Sequence, residues 1–125
     1  MRFAVSAAVP GFLALGACLA LGACAHVRPA DLPWLEQAKA YTAQGVITGA
    51  SARNWTSYGE SIRLGAGVDD AARALLTDPQ TSGGLLVACA PQEAERVLDI
   101  FRSQGFGQAA VVGDMRAGEP RVHVE

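Results

Sequence analysis

Residues 85–105 constrain the fold of this chain more than any other stretch. Leu85-Leu86-Val87-Ala88-Cys89-Ala90 is an unbroken apolar run held between Gly84 and Pro91. Its length and its Gly and Pro boundaries predict an interior strand over 85–90, buried on both faces. Pro91 then suits the first turn of a helix, where Glu93 and Glu95 meet the positive end of the dipole. Ala94, Val97, Leu98 and Phe101 fall at i, i+3, i+4 and i+7, and Gly105 follows as a stop. An amphipathic helix over 92–104, with Phe101 in the core, must lay its apolar stripe on the strand's sheet. The fold class predicted is therefore α+β, a mixed β-sheet with helices packed on it.

The rest of the chain fits that frame. Asp31 is a plausible N-cap, Pro33 suits a first turn, and Leu35, Ala38 and Tyr41 or Thr42 recur at helical spacing up to Gly45. A helix over 32–44 is predicted. Residues 45–68 are rich in Gly, Ser and Thr without a clear period, and read as an ordered loop with a short strand or turn. Asp69 is expected to cap a second short helix carrying Ala72, Leu75 and Leu76 on its buried side. Ala109 to Val112 reads as a short buried strand and Gly113-Asp114 as a turn. Pro120 to Glu125 reads as an alternating edge strand with Val122 and Val124 on one face.

A chain of 125 residues, half of them hydrophobic, has room for one packed domain. Ten Lys and Arg stand against twelve Asp and Glu, scattered singly, so no basic patch points to nucleic acid. The spacing of Cys18, Cys24 and Cys89 matches no zinc or disulfide framework, and they read as free buried thiols. His26 and His123 lie at opposite ends of the chain, so no metal site is predicted on them. Residues 1–28 are the ambiguous part. Arg2 followed by a long run rich in Ala and Leu resembles an export signal, and Leu21-Gly22-Ala23-Cys24 resembles a lipoprotein cleavage box. Against that, Pro10 and Gly11 interrupt the run, which is shorter than the roughly 20 residues needed to span a bilayer. The segment reads equally as a hydrophobic, Ala/Leu-rich helix of a cytosolic fold. The domain division expected is 1–28, a divergent, frameshifted or signal-like segment, and 29–125, the packed domain.

Asp78-Pro79-Gln80-Thr81-Ser82-Gly83-Gly84 precedes the buried strand directly. It combines an extended X-Pro entry, two hydroxyls and two glycines that let backbone amides come close to a ligand. Such a loop either cradles an anion through its N–H groups or forms a turn whose Asp78 and Ser82 satisfy nearby backbone. It lacks the spacing and the lysine of a P-loop. Residue chemistry alone leaves both readings open.

The stretch LLTDPQTSGGLLVACAP, residues 75–91, resembles the signature of the C-terminal domain of selenophosphate synthetases. Ala52-Arg53-Asn54-Trp55-Thr56-Ser57-Tyr58-Gly59 is similar to that family's Arg-Asn-aromatic segment, and Asp31 to Ala38 to the helix before it. The resemblance runs from about Asp31 to the C-terminus. It implies the C-terminal domain fold of the aminoimidazole ribonucleotide synthetase-like enzymes, which closes over an ATP- and Mg²⁺-binding N-terminal domain. It also implies ATP-dependent phosphoryl transfer to selenide, giving selenophosphate, AMP and phosphate. Asn54, Asp78, Gln80, Thr81, Ser82, Gly83 and Gly84 are the residues it places at the phosphate cleft.

This chain departs from the family at its start. The family's Asp-Val-Thr-Gly-Phe-Gly segment has its nearest counterpart in Ala8-Val9-Pro10-Gly11-Phe12-Leu13, which lacks the carboxylate. The family's nucleophile, lysine and metal aspartates belong to the N-terminal domain, and Lys39 is the single lysine here. No catalytic or metal residue is therefore assigned. ATP and Mg²⁺ are expected in the full-length family, and neither is expected to bind tightly to this chain alone. The partner expected is an ATP-binding domain, in cis or as a separate chain and a possible route to a homodimer. A cytoplasmic location without membrane or nucleic-acid partners is expected, the alternative being an exported binding protein anchored through Cys24. DPQTSGG argues against a thiamine-phosphate kinase relative.

Overall fold

The computed structural model describes residues 2–5, 23–79 and 84–125. Six strands form one mixed sheet in the order β3-β6-β2-β5-β1-β4. In chain order these are β1 (Arg2–Val5), β2 (Ala23–Val27), β3 (Ile62–Leu64), β4 (Leu86–Cys89), β5 (Ala110–Ala117) and β6 (Val122–Val124). The helices are α1 (Glu36–Ala43), α2 (Gly49–Tyr58), α3 (Asp70–Leu76) and α4 (Ala94–Ser103). β2, β6 and β3 run parallel, and β5, β1 and β4 add antiparallel pairs. The α+β architecture is the one the sequence pattern demands.

The sheet has two unlike faces. Ala25, Val122, Val124, Ile62 and Met115 are buried on one, where Tyr58 of α2 and Leu76 of α3 complete the main core. α1 packs across α3 on this side. On the other face Leu98 and Phe101 of α4 pack with Ala109, against Val87 and Val111. Adjacent β4 residues serve opposite cores, Leu86 the main one and Val87 the smaller. That is the period-2 geometry of a strand covered on both sides. β4 is nevertheless the edge of the sheet and only half-buried, with Leu85 before it 65% exposed. The unbroken apolar run thus reports two covered faces and says nothing about rank in the sheet.

Three more expectations are corrected. Residues 45–68 hold a ten-residue helix, α2, and the strand β3. Gly113-Asp114 is no turn, because β5 runs eight residues straight through it. Pairing with β1 skips Val112, placing a bulge there. Val122 and Val124 do share a buried face, but β6 lies inside the sheet between β2 and β3. Its alternation reflects one face under helices and one under solvent.

The strands β1 and β2 come from the segment set apart at 1–28, and both pair with β5. Cys24 is buried in β2 and Cys89 half-buried in β4, while Cys18 falls outside the described residues. Lipidation at Cys24 requires cleavage before it, which would remove β1 from between β5 and β4. Among the described residues no helix is long and apolar enough to cross a membrane.

Candidate functional site

The N-terminus of α2 and the end of α3 meet at the entrance of the DPQTSGG loop. Thr48 caps α2, its hydroxyl accepting from the Ser51 amide. The same hydroxyl donates to Asp78 Oδ1 at 2.8 Å. Ser51, 3% exposed, donates from Oγ to the Ala74 carbonyl at 3.1 Å, and its Oγ lies 3.5 Å from Asp78 Oδ1. One turn further along α2, Asn54 Nδ2 donates to the Thr77 carbonyl at 2.8 Å. Thr77 is itself buried and donates back to the Arg73 carbonyl. Arg73 stacks over Trp55, 5.3 Å from the ring centroid, fixing α2 against α3.

Two segments separated by 23 residues or more in the chain therefore converge, and local structure does not require it. Asp78 and Asn54 act here as fasteners, holding the backbone that leads into the loop. Gly84 is half-buried at the loop's exit into β4, while Gln80, Thr81, Ser82 and Gly83 lie outside the described residues. Beside Asp78 an open groove of about 190 Å³ is lined by Tyr41, Val46, Ile47 and Leu75 among others. Tyr41, Val46 and Ile47 are each at least half exposed, so this rim is an apolar surface unpartnered among the described residues. Thr48 and Ser51 were not singled out by the sequence reading. Their signal was present as Thr-x-x-Ser before a run free of Pro, but without an apolar period it looked like loop.

The opposite face of the sheet, beyond the part that α4 covers, holds a second polar group. Asp114 on β5 accepts from Arg116 Nε at 2.8 Å and lies near Arg28. That hydrogen bond, with the nearby positive charges, holds the Asp114 carboxyl below the usual carboxylate range, against a smaller opposing effect of burial. His26 on β2 meets Glu125 at 2.7 Å through Nδ1, which depresses the Glu125 carboxyl likewise. His26 and His123 stack at 4.6 Å, so the two histidines kept apart by sequence distance are cross-strand neighbours.

Residues 36–125 match the family described as AIR synthase related protein, C-terminal domain. The chain belongs to this family. It is also 53% identical over 120 residues to the selenide, water dikinase of Paraburkholderia xenovorans (strain LB400), covering 93% of this chain and 34% of that protein. Similarity to the selenide, water dikinase of Burkholderia pseudomallei (strain K96243) is 54%, with the same coverage. The one from Rhizobium meliloti (strain 1021) is 43% identical over 120 residues. The chain spans about a third of the length of these curated relatives. The matched stretch is longer than residues 29–125 and so reaches into the hydrophobic N-terminal segment.

Proposed function

We propose that this chain is the C-terminal domain of a selenophosphate synthetase, acting only beside an ATP-binding domain. The observation that carries this reading is its identity to selenide, water dikinases across nearly its whole length, matching about a third of theirs. In that role the DPQTSGG loop helps close a phosphate-containing cleft. Gly83 and Gly84 let backbone amides approach, Thr81 and Ser82 supply hydroxyls, and Gln80 a side-chain amide. Asp78 and Asn54 hold the entrance in place through Thr48 and Thr77. The apolar rim of Tyr41, Val46 and Ile47 beside that entrance is the surface offered to the partner domain.

ATP supplies the phosphoryl group in this chemistry, and magnesium neutralises its charge. Asp78, whose Oδ1 accepts from Thr48, is assigned to holding the loop's entrance and not to Mg²⁺. The metal ligands, nucleophile and lysine are accordingly assigned to the part of the longer relatives that this chain does not span. Dimerisation through that part, and a cytoplasmic location, follow from the same reading.

Phosphorus NMR tests it, with ATP, Mg²⁺ and selenide. The chain alone should give no selenophosphate. Adding the ATP-binding domain of a selenide, water dikinase, separately or fused, should restore it. Gly83→Val should then lower turnover at least tenfold with little change in Tm. Selenophosphate from the chain alone would end the claim of dependence, and failure of a folded fusion would end the domain assignment.

A further inference from the structure

Cys24, His26 and His123 each offer a ligand atom, and these atoms lie within 4.8 Å of one another. No sequence spacing announces this, because the group is assembled by strand register. β2 and β6 run parallel with His26 opposite His123. Cys24 precedes His26 by two residues and so projects from the same side of β2. Cys24 Sγ stands 3.6 Å from His26 Nε2. With metal–sulfur and metal–nitrogen bonds of about 2.3 and 2.0–2.1 Å, two such ligands on a tetrahedral ion sit roughly 3.5 Å apart. That pair is already at binding distance, and the third needs only a small side-chain adjustment.

The surroundings are those of a metal ligand set. His26 meets Glu125 through Nδ1 at 2.7 Å, which orients the ring and turns Nε2 toward the thiol. A carboxylate behind a ligating histidine does this at established metal centres. Glu125 lies two residues beyond His123 on the same strand side, so one short segment provides both a ligand and its support. Cys24 is 8% exposed, and its thiol donates to the Arg116 carbonyl at 3.5 Å. Beyond the cluster a pocket of about 440 Å³ is lined by Cys24, His123, Arg63, Glu119 and Arg121 among others. It leaves a fourth position open to solvent, to Glu119, or to an anion drawn by the two arginines.

We propose that Cys24 Sγ, His26 Nε2 and a ring nitrogen of His123 bind a thiophilic divalent cation of the zinc class. Soft thiolate and imidazole donors in this number select such an ion over Mg²⁺ or Ca²⁺. On binding, the Cys24 thiol loses its proton to solvent and the Arg116 carbonyl loses that donor. The site is on the opposite sheet face from the main core, on which α2 and α3 hold Asp78.

Cobalt(II) titration of the full chain under reducing conditions tests this. One equivalent should give thiolate-to-cobalt charge-transfer absorption and the intense visible bands of a tetrahedral ion, and zinc should displace it. The Cys18→Ser/Cys89→Ser double variant, which leaves Cys24 as the one thiol, should keep the spectrum, and Cys24→Ser should lose the charge-transfer absorption. His123→Ala should weaken binding at least tenfold, and Glu125→Gln about 10–100-fold. A parent chain without charge-transfer absorption, or absorption that survives Cys24→Ser, overturns the proposal. So does loss of the spectrum in a folded Cys18→Ser/Cys89→Ser chain.

Discussion

Gly113 lies where β5 pairs with β2, opposite Val27. A Cβ built there would stand 2.0 Å from the His26 carbonyl oxygen, a backbone atom that cannot swing aside. Glycine is needed here for close backbone approach, and the turn inferred from Gly-Asp was the wrong use of the same residue. Gly113→Ala should cost about 1–3 kcal/mol or more, as other forced overpacking does, read as a fall in the urea midpoint at unchanged slope. Beside it, Asp114 titrates below its ordinary value because Arg116 hydrogen-bonds its ionised form. A depressed carboxylate contributes stability that is full above its unfolded pKa, about 4, and is lost as pH falls through the lower folded pKa. The Asp114 side-chain carbon should therefore titrate below that value by NMR and move up in Arg116→Gln. An unchanged midpoint would remove Arg116 as the cause.

At the level of elements, α2 shows how a capping residue can serve a neighbouring loop. Thr48 closes the N-terminus of α2 and also binds Asp78, 30 residues on. Thr48→Ala should cost about 1 kcal/mol from the lost cap alone. Because the two residues share a partner, Thr48→Ala and Asp78→Ala should be non-additive by about 0.5 kcal/mol or more in a double-mutant cycle. Additive losses would mean that the hydroxyl–carboxylate contact is idle in solution. α4 was legible because its stripe of Ala94, Leu98 and Phe101 is strongly periodic, and all three are buried. α2 was not, because its buried residues are Ser51 and Tyr58, and hydrogen bonds and a ring stack carry much of its contact with α3.

For the whole molecule, the docking proposed for the groove beside Asp78 can be tested apart from folding. Val46 and Ile47 are 62% and 50% exposed, so little of the domain's own packing depends on them. Ile47→Glu should leave Tm within a few degrees while weakening complementation by a separate ATP-binding domain at least tenfold. A desolvated charge at an apolar contact carries such a penalty. Equal complementation by the variant would place the docking surface elsewhere.

The sequence by itself determined the layers and the family. An apolar run beside an amphipathic helix dictates helices on a sheet, because each apolar face must be buried, and DPQTSGG with the Arg-Asn-Trp segment carries the resemblance. Tertiary structure alone decided strand order and the two polar clusters. Parallel pairing of β2 with β6 joins residues nearly a hundred positions apart. Local pattern records which faces are covered but not by which neighbour, so β4 read as interior and β6 as edge, the reverse of the fold. For the same reason the stacked His26 and His123 were invisible until the register set them side by side.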